Sequence, residues 1–263
     1  MKYGFLGCGN MGGAIARALS KTTKNIMLTS KSTDTAVNLA KELGCEYARS
    51  NAELIENCDV IFLAVKPQMA ADVLSPLVPV LQKRKPVLVS MAAGLTLSRI
   101  ESMVGDSMPV IRIMPNTPVS IGKGMTTYCS NALVDESVID TILQALCHAG
   151  RFDRIEEAQM DAATAAAGCS PAYAYMFIDA IARGAESCGL PREKALVYAA
   201  EAVSGAAQLL LASDKEPSDL KNAVCSPGGS TLAGVKTLVE KDFTTITAEA
   251  ICSAYKRNIE LGK

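Results

Sequence analysis

Tyr3-Gly4-Phe5-Leu6-Gly7-Cys8-Gly9-Asn10-Met11-Gly12, followed from Gly13 by an alanine-rich stretch, reads as a short buried strand, a glycine turn and a helix start. In this G-x-G-x-x-G spacing Gly7 permits the tight turn, Gly9 lets a pyrophosphate approach the backbone, and Gly12 lets the helix pack closely on the strand. The phosphates then face the helix N-terminus, where unpaired N–H groups and the helix dipole favour an anion. Cys8, Asn10 and Met11 lie in the same turn, so residues 7–12 form the first candidate cofactor segment. A strand-to-helix turn with no ligand uses the same glycines, and the rest of the chain decides between the two.

Outward from this turn, strand and helix alternate with short connections. Residues 25–29 predict a second strand, 33–43 a helix closed by Gly44, and Ser50-Asn51 the cap of a short helix. Asp59-Val60-Ile61-Phe62-Leu63-Ala64-Val65 is a continuous apolar run, the pattern of a strand buried on both faces. Pro67 opens the next helix at its first turn, where its missing N–H is not needed. Residues 86–91 predict a strand, 95–104 a helix, 109–114 a strand and 123–129 a short edge strand. The pattern is that of an α/β protein with a Rossmann-type, doubly wound, mostly parallel sheet, whose ligand lies across the carboxyl ends of the strands. Those ends carry Gly7 to Gly12, Ser30-Lys31, Ala64-Val65-Lys66-Pro67-Gln68, Met91-Ala92-Ala93-Gly94 and Pro115-Asn116-Thr117, which together outline one crevice.

Near residue 150 the pattern changes. Residues 135–149 predict a helix ending at Gly150 and 152–155 a last strand, and from Met160 the apolar spacing is helical almost to the end. Breaks are expected at 168–171, 189–191, 213–217, 226–229 and 241–242. The boundary is placed at Glu157: residues 1–157 form a dinucleotide-binding domain and 158–263 an all-helical one. Residues 173–188 and 193–211 are rich in Ala with broad apolar faces, which fits burial against a second subunit or within one bundle.

Composition removes several classes of function. The 263 residues carry 20% charged side chains and a formal net charge of −1, with no long block of one sign, so neither nucleic acid nor an anionic membrane is an expected partner. No apolar run approaches bilayer-spanning length, and a strand that starts directly after Met1 leaves no room for a cleavable leader. Nine cysteines with no C-x-x-C pair suit free thiols in a reducing cytoplasm better than disulfides or a metal site. His148 is the only histidine and sits near a predicted helix C-terminus, so no metal ligand set and no histidine-based hydrolytic triad is expected.

Ser30-Lys31-Ser32 stands where an NAD-binding unit places an Asp or Glu. Its hydroxyls and positive charge suit a 2′-phosphate and favour NADP(H), while NAD(H) remains possible with Asp34 in the ribose role. Asn51 is placed either to bond a ribose or to cap a helix. Asn116, in the rigid Met114-Pro115-Asn116-Thr117-Pro118 turn, offers a donor and an acceptor where a nicotinamide would lie. In the helical half, Ser226-Pro227-Gly228-Gly229-Ser230-Thr231 precedes a helical stretch. Its glycines and hydroxyls at a helix N-terminus form a small-anion cradle suited to a substrate carboxylate.

Together these motifs resemble the pyrroline-5-carboxylate reductases. The resemblance spans essentially the whole chain, through residues 5–12, Val65-Lys66-Pro67-Gln68, Arg112-Ile113-Met114-Pro115-Asn116-Thr117-Pro118, Ser170-Pro171-Ala172-Tyr173, Gly189-Leu190-Pro191 and Ser226-Pro227-Gly228-Gly229-Ser230-Thr231. This chain has Cys169-Ser170-Pro171 where the family often has Ser-Gly-Pro, and Ser230-Thr231 where it often has Thr-Thr. The resemblance implies NADPH-dependent reduction of 1-pyrroline-5-carboxylate to L-proline and a helical domain that pairs with another subunit in a homo-oligomer. From the residues themselves, the carboxylate is expected on the N–H groups of Gly228 and Gly229 with Ser226 and Ser230, and Thr231 is the candidate catalytic residue that hydrogen-bonds the ring nitrogen. The residues are compatible independently. Reducing a ketone calls for a Lys or His, yet residues 124–193 contain no Lys, whereas a cyclic imine arrives already protonated. A β-hydroxyacid dehydrogenase, which shares the opening glycine pattern, would need a Lys within 158–188 and has none there. A cofactor-sensing regulator would have no use for the cradle.

Overall fold

A computed structural model describes residues 1–262 of the chain. Among them the strands are β1 (Tyr3–Leu6), β2 (Ile26–Thr29), β3 (Glu46–Tyr47), β4 (Val60–Leu63), β5 (Val87–Ser90), β6 (Val110–Met114), β7 (Gly124–Ser130) and β8 (Gly150–Arg154). They form one sheet in the order β3-β2-β1-β4-β5-β6-β7-β8. Every pairing is parallel except β6 with β7. The strand order reverses beside β1, which makes the gap between the ends of β1 and β4 the topological switch point, the place where such sheets bind ligands.

Alternate side chains of each strand enter opposite layers. Phe5, Leu28, Phe62, Val89 and Ile113 pack beneath Asn10–Ser20, Thr33–Leu43 and Glu136–Ala145, with Phe5 and Phe62 stacked at 4.5 Å. Leu6, Met27, Ile61, Leu63 and Leu88 face the other way, against Asn51–Asn57, Ala70–Leu74, Val78–Arg84 and Leu97–Val104. Coverage on both faces explains why these strands read as continuous apolar runs.

By compactness the chain divides into two units, Met1–Cys169 with the chain from Ala254 onward, and Ser170–Ser253. In the second unit Ser170–Ser187 packs on Arg192–Leu211 through the buried Ala182, Ala195 and Ala199. Met176, Tyr198, Leu211 and Val239 are exposed on its helices.

The structure corrects two expectations. β7 is not an edge strand, because β8 pairs along its outer side from Gly124↔Gly150 to Tyr128↔Arg154. The close approach needs glycine: a Cβ on Gly150, whose φ is 124°, would lie 2.9 Å from the Gly124 carbonyl carbon. The break expected at 168–171 is also absent, since a π-helical segment, Thr164–Cys169, runs straight into Ser170–Ser187. Pro171 has no N–H for the carbonyl four residues back, that of Ala167. The Asn116 side chain fills the vacancy, donating Nδ2 to Ala167 O at 3.0 Å.

Candidate functional site

The three glycines of the first turn differ in what requires them. Gly7 has φ 103°, and a Cβ there would lie 2.7 Å from the Ala64 carbonyl oxygen. A Cβ on Gly12 would lie 2.5 Å from Gly7 O and 2.8 Å from Ala64 Cβ, so this glycine lets the helix seat on the β1–β4 ends. Gly9 is the residue before the helix Asn10–Ser20, and its Cβ would meet no atom within 4 Å. Nothing among the described residues requires glycine at this position. The open space beside a helix N-terminus fits a pyrophosphate approaching the backbone.

The other expected cofactor residues gather around the same strand ends. A cavity of about 250 Å³ is lined by Gly7, Ser30, Lys31, Asn51 and Val65, together with Leu6, Thr29, Met69 and Val73. Lys31 is exposed at its rim. Asn51 is not the helix cap: Ser50 Oγ accepts from Glu53 N at 3.1 Å, which leaves Asn51 in the cavity wall. Met69 and Val73 escaped the sequence reading because they belong to the helical turns after Pro67, where their spacing looks like ordinary core. Cys8 lies in the turn with its thiol directed inward, donating to Thr29 O at 3.2 Å. Burial pushes that thiol up to about 12. Any contact of Cys8 with a ligand is therefore through the backbone.

On the other side of the switch point, Lys66 is exposed and precedes the 3₁₀ turn Pro67–Met69. Met91 continues the ladder by donating to Leu63 O at 3.1 Å, and Ala92 and Ala93 follow it off the end of β5. Asn116 is buried, and both ends of its amide are engaged: Nδ2 with Ala167 O, and Oδ1 accepting from Met125 N at 2.9 Å. One N–H and one lone pair remain for a ligand.

The cradle lies in the second unit. Gly228 has φ 74°, and Gly229 begins the helix Ser230–Glu240, which no side chain caps among the described residues. Gly229 itself donates N–H to Ser226 O at 3.0 Å, and a Cβ on it would lie 2.5 Å from Ser226 Oγ. Its role is to close the loop, and its N–H is not available to a ligand. The first intrahelical bond is Ala233 N to Gly229 O, so the N–H groups of Ser230, Thr231 and Leu232 have no helical acceptor. Ser226, Ser230 and Thr231 are exposed.

The strand order, the glycine turn and the crevice define a Rossmann-type dinucleotide-binding protein with a separate helical unit. Residues 157–261 match the family model described as pyrroline-5-carboxylate reductase dimerisation, and residues 2–94 match that of coenzyme F420-dependent NADP oxidoreductases. The chain is 37% identical over 266 residues to the pyrroline-5-carboxylate reductase of Escherichia coli K12, covering 100% of this chain and 98% of the relative. Among solved structures, the Plasmodium falciparum pyrroline carboxylate reductase with NADP bound superposes with a TM-score of 0.89 at 32% identity, covering 100% of this chain and 98% of that one. The Streptococcus pyogenes 1-pyrroline-5-carboxylate reductase gives 0.91 at 35% identity, with 99% and 98% covered. The chain belongs to the pyrroline-5-carboxylate reductase family.

Proposed function

We propose that the protein reduces 1-pyrroline-5-carboxylate to L-proline with NADPH, the last step of proline biosynthesis, as a homo-oligomer of at least two chains in the cytoplasm. The observation that carries the substrate assignment is the uncapped helix start behind Gly228 and Gly229, which offers N–H groups to a small carboxylate. The bound nicotinamide supplies a hydride.

The chain's own residues bind and orient. The backbone of Gly7, Cys8, Gly9, Asn10, Met11 and Gly12 holds the pyrophosphate, Ser30 and Lys31 the 2′-phosphate, and Asn51 a ribose. Ala64, Val65, Lys66, Pro67, Met91, Ala92, Ala93 and Asn116 border the remainder of the dinucleotide. NADP(H) is preferred because no acidic side chain lines the cavity beside Ser30 and Lys31.

The substrate carboxylate is held by the N–H groups of Gly228, Ser230 and Thr231 with the hydroxyls of Ser226 and Ser230, and Gly229 gives the loop its shape. The Thr231 hydroxyl bonds the ring nitrogen. A cyclic imine that arrives as an iminium is already an electrophile, so orientation replaces general acid catalysis. Residues 1–157 act as the dinucleotide-binding domain and 158–263 as the substrate-binding and dimerisation domain. A second copy covers the exposed Met176, Tyr198, Leu211 and Val239. Nine free thiols fit a reducing compartment, and among the described residues no helix is long and apolar enough to cross a membrane.

Purified protein given 1-pyrroline-5-carboxylate and NADPH should oxidise the cofactor and form proline. No turnover, or equal turnover with an open-chain 2-keto acid, would overturn the assignment.

A further inference from the structure

Arg112 is the largest fully buried side chain among the described residues, at 2% exposure, and it lies in the first compact unit on β6, four residues before Asn116. Its guanidinium forks: Nη1 donates to Glu157 Oε1 at 3.2 Å and Nη2 to Asp161 Oδ1 at 3.4 Å, while Nε has no partner among the described residues. A buried cation whose Nε–H is unmatched is a poor source of stability. What it contributes is geometry, and the surrounding contacts show which geometry.

The β5–β6 ladder runs Leu88↔Val110, Val89↔Ile111, Ser90↔Arg112 and stops there. Beyond that rung come residues 91–96 on one side and the turn at Pro115-Asn116 on the other, both among the residues assigned above to the part of the dinucleotide beyond the phosphates and adenosine. No backbone pairing between these strands continues past Arg112, so side chains must set the spacing of the two loops. Glu157 Oε1, which accepts from Arg112, also accepts from Leu97 N at 2.7 Å, the first residue of the helix that ends the first loop. Asp161 is steadied in turn, its carbonyl accepting from Asn258 Nδ2 at 3.1 Å. Gly94, within that first loop, packs so closely on the chain end that a Cβ would lie 2.9 Å from Gly262 N.

We infer that Arg112 is a positioning residue: through Glu157 it locks the loop after β5 to the turn after β6, and so sets the spacing of the cleft that receives the nicotinamide half of the cofactor. The adenosine half is assigned to the cavity at the ends of β1 and β2, outside this cluster, so loss of the lock should weaken only one end of the dinucleotide. The inference rests on the cofactor assignment proposed above.

The test compares the full-length protein with Arg112→Lys, which keeps the charge but loses the planar fork, and with Glu157→Ala, which removes the shared acceptor from a half-exposed position. For each, Kd is measured for NADPH and for 2′,5′-ADP, a probe of the adenosine half alone. The ratio of the NADPH Kd to the 2′,5′-ADP Kd should rise at least fivefold in both variants, with 2′,5′-ADP binding within twofold of wild type. A ratio unchanged within twofold, or both affinities falling together, overturns the inference. If Arg112→Lys does not fold, Glu157→Ala decides alone. Wild-type protein that binds neither probe would instead refute the cofactor assignment.

Discussion

Gly9→Ala separates a glycine required by the ligand from glycines required by the fold. Gly9 has φ −69° and ψ −169°, a conformation open to any residue, and an added Cβ would meet no protein atom within 4 Å. Alanine lowers the entropy of the unfolded chain, a gain of about 0.4–1 kcal/mol. It is a poorer N-cap than glycine by about the same amount, so the net change in stability should lie within about 1 kcal/mol. The methyl occupies the space assigned to the pyrophosphate. Losing one charge-assisted N–H···O contact costs about 1.5–3 kcal/mol, or about 10- to 150-fold in Kd.

Gly12→Ala is the contrasting variant. Its Cβ would sit 2.5 Å from a backbone oxygen, and overpacking of that kind costs about 1–3 kcal/mol of stability. Calorimetry of both variants, with NADPH titrated by fluorescence, should show Gly9→Ala melting with wild type but binding poorly, and Gly12→Ala impaired in both. NADPH binding by Gly9→Ala within twofold of wild type would refute the pyrophosphate assignment.

Lys31→Ala should raise KM for NADPH about fivefold, the upper range for an exposed charge pair, and leave KM for NADH unchanged; equal effects on both would remove Lys31 from 2′-phosphate recognition. Thr231→Ala should lower kcat about tenfold or more with the melting temperature unchanged, and Thr231→Ser should restore most of it, since the hydroxyl is the group in use; an unaltered rate in the alanine variant would dismiss the role. Burial pushes the Cys8 and Cys58 thiols up to about 12 and Cys129 to about 11. The unfolded chain releases these protons at lower pH than the folded one, so stability present below the ordinary thiol range should fall as pH rises from about 9 towards 11. Melting scans across that window test this, and a flat profile would contradict it. At pH 8.5 iodoacetamide should label the exposed Cys147 and spare those three. Light scattering should give a dimer or larger species; a stable monomer would argue against burial of Met176, Tyr198, Leu211 and Val239 by a second copy.

Part of this molecule was legible residue by residue. The β1 and β4 runs are apolar throughout because the sheet is covered on both faces, and Gly7 is glycine because its φ is positive, so both constraints act on neighbours in the chain. The turn at Gly228, with φ 74°, and the helix start after Gly229 were legible for the same reason. Other features needed long-range information. Gly124 and Gly150 let β8 pair along the outer side of β7, a contact between distant residues that makes β7 an inner strand. Pro171 signalled a break, yet Asn116, far back in the chain, supplies the donor that proline lacks, and the helix continues.

The sequence by itself therefore determined the layer order, the glycine turn, the charge at Lys31 and the hydroxyls beside the cradle, because local backbone geometry and side-chain chemistry settle each of them. Only the tertiary structure decided that Ser50 rather than Asn51 caps its helix, that Met69 and Val73 wall the cavity, and that Gly229 uses its own N–H. It alone joined Arg112 to Glu157, 45 positions away. Such pairs leave no periodic trace in the chain, since the residues that meet are chosen by how the strands and helices pack.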